Sequence, residues 1–299
     1  MTAQIRIGIS GWRYPPWRGG FYPPGLAQAR ELDFASHQFP AIELNGSFYA
    51  LQRPSSYERW AADTPDGFVF TVKAPRFITH VLRLRDARAA VANFLASGLF
   101  ALGPKLGPIL WQLPPSLPFD AEGLDAFLSL LPHDTDAAAR LAAERESRMH
   151  GKELLTPALP WRLRHALEVR HASFHHAECA DLLRRHQVAL VVADTAGRWP
   201  ELGDATTDFM YLRLHGAQEM YASGYSDAQI DRWADRIRAW AAGGLPDDMD
   251  FAADPVPADR ATARDVFCFF DNTMKIHAPQ NALRLAQRLG LGTQLQITR

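Results

Sequence analysis

VALVVAD, residues 188–194, places six apolar residues in a row and then an aspartate. A strand with one wet face alternates apolar and polar residues. An unbroken apolar run instead suits a strand buried on both faces, as in a parallel sheet covered by helices. Seven more short β-rich runs recur along the chain: IRIGIS (5–10), AIELN (41–45), FVFTVK (68–73), PILWQ (108–112), ALEVR (166–170), FMYLRLH (209–215) and VFCFFDN (266–272). Helical patterns lie between most of them, at residues 26–38, 53–62, 85–97, 121–131, 174–186, 226–242 and 279–289. Asp120 suits an N-cap, Ser226 with Gln229 suits a capping box, and Gly290 suits a C-cap. Strands alternating with helices build right-handed βαβ units, and eight such units can close on themselves. The expected fold is α/β, a single (β/α)8 TIM-type barrel over residues 1–299. It is somewhat irregular. Residues 195–208, between strands six and seven, are too few and too rich in Pro and Gly for a full helix. Residues 113–165 hold an extra helical stretch at 137–150, and residues 243–265 read as an exposed loop.

Each of the eight runs stops in polar or ionisable residues. Strand one ends in Ser10, two in Glu43 and Asn45, three in Lys73, four in Gln112. Strand five ends in Glu168 and Arg170, six in Asp194, seven in Arg213 and His215, eight in Asp271 and Asn272. The C-terminal strand ends of a barrel converge on one concave mouth, where barrel enzymes keep their active sites. Residues two apart share a strand face. Glu43 and Asn45, Glu168 and Arg170, and Arg213 and His215 are therefore each expected to point the same way. Charges there are largely desolvated and need partners.

Three readings of the mouth follow. The first is acid–base chemistry on a polar or anionic small molecule. Glu43, Lys73, Glu168, Asp194 and His215 are the candidate catalytic groups. Trp12, Tyr14, Asn45, Tyr49, His80, Gln112, Arg170, Arg213, Tyr221 and Asn272 are candidates for substrate binding. Arg binds carboxylate and phosphate through paired hydrogen bonds. Two carboxylates in one dry pocket push their pKa values apart into an acid and a base, and an ordinary His titrates near neutrality. Lys73 is either salt-bridged, for example to Glu43, or a desolvated amine able to form a Schiff base. The second reading is a divalent metal held by Glu43, Glu168, Asp194, His215 and Asp271, with three cations competing for the same carboxylates. The third is a binding module. The loop after strand one carries Trp12, Tyr14, Trp17, Phe21 and Tyr22 among Arg13 and Arg18, and either stacks bases or sugars or packs its own aromatics over the barrel. Tyr221 and Tyr225, flanking Gly224, are candidates for a lid.

Several longer motifs resemble one known family. They are GISGWRYPPWRGGFYP (8–23), IELNGSFY (42–49), FVFTVKAPRFITH (68–80), LGPILWQLPP (106–115), LEVRHASF (167–174), VVADT (191–195), YLRLHG (211–216), MYASGYS (220–226) and FCFFDNTMKIHAPQNA (267–282). In this order they resemble the YecE-like family, also called domain of unknown function 72. The resemblance implies a TIM-type barrel and a clustered polar mouth, and no particular reaction. Three stretches depart from the family's pattern: Gly46-Ser47 stands where Ser/Thr-Thr is usual, Phe174 replaces a Trp, and Asp271 replaces an Asn, adding a carboxylate to the mouth.

Composition bounds the rest. The 299 residues are 47% hydrophobic and 22% charged, with a net charge of −1. That is an ordinary globular composition. It gives no basic field for nucleic acid, although a local basic groove stays open. Cys179 and Cys268 lack metal-ligand spacing and read as buried thiols. MTAQIRIGIS reads as a first strand rather than a signal peptide, and no apolar run is long enough for a membrane helix. The expectation is a cytoplasmic protein whose oligomeric state is left open. No phosphate-loop, dinucleotide, nucleophile-elbow or zincin motif occurs, so no cofactor is indicated beyond the divalent-metal alternative.

Overall fold

The computed structural model describes residues 2–254, 262–274 and 276–292. Eight parallel strands close into a barrel in chain order. They are β1 (Ile5–Ser10), β2 (Ala41–Leu44), β3 (Val69–Lys73), β4 (Leu106–Gln112), β5 (His165–Glu168), β6 (Val188–Asp194), β7 (Phe209–Leu214) and β8 (Asp265–Phe270). The expected runs all become strands, with ends shifted by up to two residues. The helices are α1 (Glu31–Gln38), α2 (Gly46–Tyr49), α3 (Pro54–Ala62), α4 (Arg88–Ala96), α5 (Ala121–Leu130), α6 (Thr135–Ala142), α7 (Ala177–Arg185), α8 (Asp227–Ala241) and α9 (His277–Arg288). Asp120 accepts from Gly123 N at 3.3 Å. Ser226 and Gln229 form the capping box at the start of α8. Gly290, at φ 68°, ends α9 in the left-handed conformation.

The barrel interior is filled unevenly. Small residues on one side, Ala41, Ala166, Ala189 and Ala193, face Phe209, Tyr211, Phe267 and Phe269 on β7 and β8. Large rings from two strands thus fill the space that alanines leave on the others, which keeps the interior solid. Gly8 lies beside β2, where a Cβ would sit 2.1 Å from Ala41 O. Only glycine lets these two strands approach so closely.

No helix forms between β6 and β7, as their spacing predicts. The segment is tied down instead. Thr206 Oγ1 accepts from Leu190 N at 2.8 Å and donates to Val188 O at 2.6 Å. Trp240 Nε1 donates to Gly203 O at 3.1 Å. Asp204 accepts from Ala252 N at 2.7 Å, drawing the connection after α8 over the same gap. The connection is a loop with much of its described part exposed, as expected, but it is anchored at Asp250, Ala252 and Ala253; its residues 255–261 lie outside those described. The extra stretch at 137–150 is a shorter helix than expected. It ends at Ala142, and a 3-10 turn (Ser147–Met149) follows after Asn93 Oδ1 accepts from Glu146 N at 2.9 Å. Both cysteines are buried and free. Among the described residues, no helix is long and apolar enough to cross a membrane.

Candidate functional site

Arg213 stands at the centre of the mouth. Its side chain is fully buried near the end of β7, on the inward face it shares with Tyr211 and His215. Its guanidinium reaches three carboxylates. Nε and Nη2 donate to the two oxygens of Glu43 at 2.9 and 2.8 Å. Nη1 donates to Glu168 Oε2 at 2.6 Å, and Nη2 donates also to Asp271 Oδ2 at 2.9 Å. Gln112 Oε1 lies 3.4 Å from Nη1. Glu43, Gln112, Glu168, Arg170, Arg213, His215 and Asp271 are thereby brought together at one end of the barrel.

Glu43 receives further donors. Ser10 Oγ and Tyr211 Oη each donate to it at 2.7 Å. Thr71 Oγ1 backs Tyr211 at 2.8 Å, and Asn45 Nδ2 donates to Ser10 Oγ at 2.7 Å. This layer of hydrogen bonds compensates the desolvation of a carboxylate with no exposed surface. Glu168 also accepts from Arg170 Nε at 2.6 Å. Burial alone would raise Glu168 and Asp271. The Arg170 and Arg213 charges beside Glu168, and Arg213 and His215 beside Asp271, outweigh it and hold both carboxyls well below the usual range. The expected split of mouth carboxylates into an acid and a base is therefore absent for this pair: both stay ionised.

The metal alternative is corrected by the same geometry. The guanidinium of Arg213 takes the place among the carboxylates that a cation would need, and Asp194 is elsewhere. Among the described residues, no group of His, Cys, Asp and Glu is arranged to hold a metal ion.

Asp194 does end β6, but its neighbour Ala193 belongs to the barrel interior. Alternation puts Asp194 on the other face. Its backbone oxygen accepts from His215 N at 2.9 Å. Burial, then the Asp194 carboxylate, push the Tyr225 hydroxyl up, and Tyr225 supplies no lid: the ring is buried against Phe270, and its hydroxyl accepts from Gly216 N at 3.0 Å. Asn272 is displaced in the same way. It is buried and donates to Ser223 O at 2.9 Å and Asn281 Oδ1 at 3.1 Å, so it anchors the loop after β7 rather than lining the mouth. Tyr221 alone of the supposed lid pair is at the mouth. It sits at φ 67°, a strained setting for a non-glycine, with its ring 5.3 Å edge-on from that of His215. Arg213 Nη1 faces His215 Nε2 at 3.4 Å, which places the His215 proton on Nδ1. That atom is 3.1 Å from Asp271 Oδ2 but off the line of a full hydrogen bond.

Lys73 departs from its expected pairing with Glu43. Bidentate Arg213 holds that carboxylate. Lys73 O accepts from Ser47 Oγ at 2.7 Å, but among the described residues Lys73 Nζ has neither ion pair nor hydrogen bond; it lies 4.2 Å from the centre of the Phe48 ring, and the residue is only 8% exposed. Burial, then the nearby Arg213 charge, lower its pKa to about 8, against the pull of Glu43, Glu168 and Asp271. His80 packs edge-on against the same Phe48 ring at 5.2 Å, carried there by a π-helical turn (Phe77–Val81) after β3. Burial, then Arg170 and Lys73, push His80 down to about 4. Arg170 lies flat on Trp199, 3.9 Å from the ring centre, and its Nη2 is buried without a partner. Tyr49 is exposed at the rim against Phe48.

The loop after β1 packs its aromatics. Trp17 and Tyr22 are buried, Phe21 packs edge-on against Phe34 and tilted against Phe39, and Arg18 pairs with Glu31 at 2.7 Å. Trp12 packs edge-on against Trp60. With Tyr14, Asn45, Arg13 and Arg59 these two rings line a side cavity of about 440 Å³, which neither Arg213 nor its three carboxylates line. Tyr14 closes its inner side by donating to Ser10 O at 2.8 Å.

Sequence reasoning missed Phe48, Tyr211, Thr71 and Trp199, and named Ser10 only as a polar strand end. Tyr211 and Thr71 were discoverable, each two residues before a chosen site residue on the same strand face. Trp199 comes from an irregular connection and carries no such signal.

A family model described as "Protein of unknown function DUF72" matches residues 6–298. The chain belongs to the DUF72 family. Among curated proteins, it is 34% identical to the UPF0759 protein YunF of Bacillus subtilis over 117 residues, 38% of this chain and 40% of that protein. It is also 34% identical to the UPF0759 protein YecE of Escherichia coli K12 over 130 residues, 43% of this chain and 45% of that protein. The chain thus spans less than half the length of these relatives. Two solved DUF72 structures share the fold. TM1631 from Thermotoga maritima superposes with a TM-score of 0.70 at 23% identity, covering 96% of this chain and 99% of that one. EF0366 from Enterococcus faecalis gives 0.67 at 17% identity, covering 97% and 96%.

Proposed function

We propose that this DUF72 barrel is an enzyme that takes a small anionic molecule into its mouth and moves protons on it. Lys73 and Arg170 hold the anion; His80 and His215 carry protons. Glu43 and Glu168 act through the cations they fix, Glu43 by fixing Arg213 and Glu168 by orienting Arg170.

The observation that carries this reading is the pair of buried cations with unused donors. Lys73 Nζ has no polar partner among the described residues, and Arg170 Nη2 is buried with none. Buried polar groups are otherwise almost always satisfied, so the Arg170 Nη2 orphan is expected to have a use; Lys73 Nζ is not fully sealed and stays open to an incoming group. An anion between them would supply acceptors to both and would relieve the repulsion that keeps His80 low. A His80 that is neutral at pH 7 can accept a proton from the bound molecule.

The test is thermal unfolding of the wild type, Lys73→Met and Arg170→Gln, with inorganic phosphate or acetate added as probe anions. A ligand at a hundred times its Kd stabilises by about 2.7 kcal/mol. The expected result is a concentration-dependent rise in melting temperature that both variants largely lose. Equal shifts in all three proteins, or none in the wild type, would refute the reading.

A further inference from the structure

We infer that Lys73 is a nucleophile that forms an imine with its substrate, and that the anionic molecule of the mouth therefore carries an aldehyde or ketone carbonyl. This rests on the mouth being an anion site, as proposed above.

The inference comes from what Lys73 lacks. A buried lysine that serves the fold is held by a carboxylate, because an unpaired buried ammonium is costly. Three carboxylates stand near, and all three are taken by Arg213. Lys73 is left at the end of β3 against a phenyl ring, at the rim from which barrel enzymes work. The other described lysines differ. Lys105 Nζ donates to Ala61 O and Thr64 O, each at 2.6 Å, and Lys152 is exposed with its Nζ 3.4 Å from Arg148 O. Lysine desolvated beside another cation is the usual route to an amine that is nucleophilic near neutrality. The same setting lowers Lys73 to about 8.

The step balances without a co-reactant. The free amine of Lys73 adds to the carbonyl carbon, and the carbonyl π pair moves to oxygen, which takes up a proton. The nitrogen gives up a proton, for which His80, packed on the same Phe48 ring, is a neutral acceptor. The hydroxyl then takes that proton back from His80 and leaves as water while the nitrogen lone pair forms the C=N bond; once the nitrogen sheds its last proton, carbonyl plus amine has given imine plus one water, with no change of oxidation state. Arg170 would bind the anionic group of the same molecule.

The chain has four lysines, Lys73, Lys105, Lys152 and Lys275, which makes mapping direct. The intact protein is mixed at pH 7.5 with limiting pyridoxal phosphate, an anionic aldehyde, or with glyoxylate. Borohydride then fixes any imine, and peptide masses locate it. At that pH an amine titrating near 8 has on the order of a hundredfold more free base than an ordinary lysine. Labelling of Lys73 at least about tenfold ahead of Lys105, Lys152 and Lys275 is expected, with Lys73→Arg abolishing the fast adduct. Even labelling of all four lysines, or preference for another, overturns the inference; this readout on the wild type holds even if a variant folds poorly. Phosphate stabilisation that persists without selective Lys73 labelling ends the imine and leaves the anion site standing. Loss of both ends both.

Discussion

At the scale of single residues, the mouth divides into groups that hold the fold and groups left for a ligand. Arg213 and Glu43 are of the first kind. Both are fully buried and bonded to each other through two hydrogen bonds. Removing one member of such a pair strands the other without compensation, which costs about 3–5 kcal/mol. Lys73 is of the second kind: it surrenders no ion pair when replaced. The expected outcome in urea titrations is a loss of about that size for Glu43→Gln, against an unchanged or raised stability for Lys73→Met. Equal destabilisation by the two would mean that Lys73 belongs to the scaffold. The inward-facing charges were legible because strand periodicity and the polar run ends name them. Which charges pair was not. A guanidinium that reaches three carboxylates outcompetes an ammonium, and nothing in the spacing of Glu43, Lys73 and Arg213 announces that. Asp194 and Asn272 were misplaced for a related reason. A polar residue at a strand end marks the mouth only if it has inward parity, and both are one residue out of step with Ala193 and Asp271.

At the scale of elements, strands were legible and their connections only partly so. Continuous apolar runs show a buried strand whatever follows, while the π-helical turn Phe77–Val81, which delivers His80, has no distinctive composition. β5 carries a further dependence at its opposite end. His165 is fully buried there, accepting from Trp111 Nε1 on Nδ1 at 3.1 Å and donating from Nε2 to Pro132 O at 2.7 Å. That arrangement needs the neutral ring, and burial lowers its pKa to about 4. The unfolded chain therefore takes up the proton first. Stability in full above pH about 6.5 falls as pH drops through the interval down to about 4. Glu168 and Asp271, held low, add their own loss only as pH falls below about 4. Urea midpoints measured from pH 7 to 4.5 are expected to decline in the wild type and to decline less steeply in His165→Gln. Parallel slopes would show that His165 does not supply the dependence.

At the scale of the whole molecule, closure of the sheet explains why polar strand ends as far apart in the chain as Ser10 and Asp271 meet. Ser10, Glu43, Gln112, Glu168, Arg213 and Asp271 stand at or just past the ends of six different strands and share one hydrogen-bonded network. The architecture was legible because eight runs with helical spacers have few other ways to bury both faces. The chemistry was less so, since it depends on which cations the network leaves over. That remainder, Lys73 and Arg170, is the central claim, and a bromide soak of crystals tests it most directly. The account predicts an anomalous bromide peak inside the mouth, within hydrogen-bonding reach of Lys73 Nζ or Arg170 Nη2. Bromide bound at outer guanidiniums such as Arg13 and Arg59, with none at Lys73 or Arg170, would contradict it.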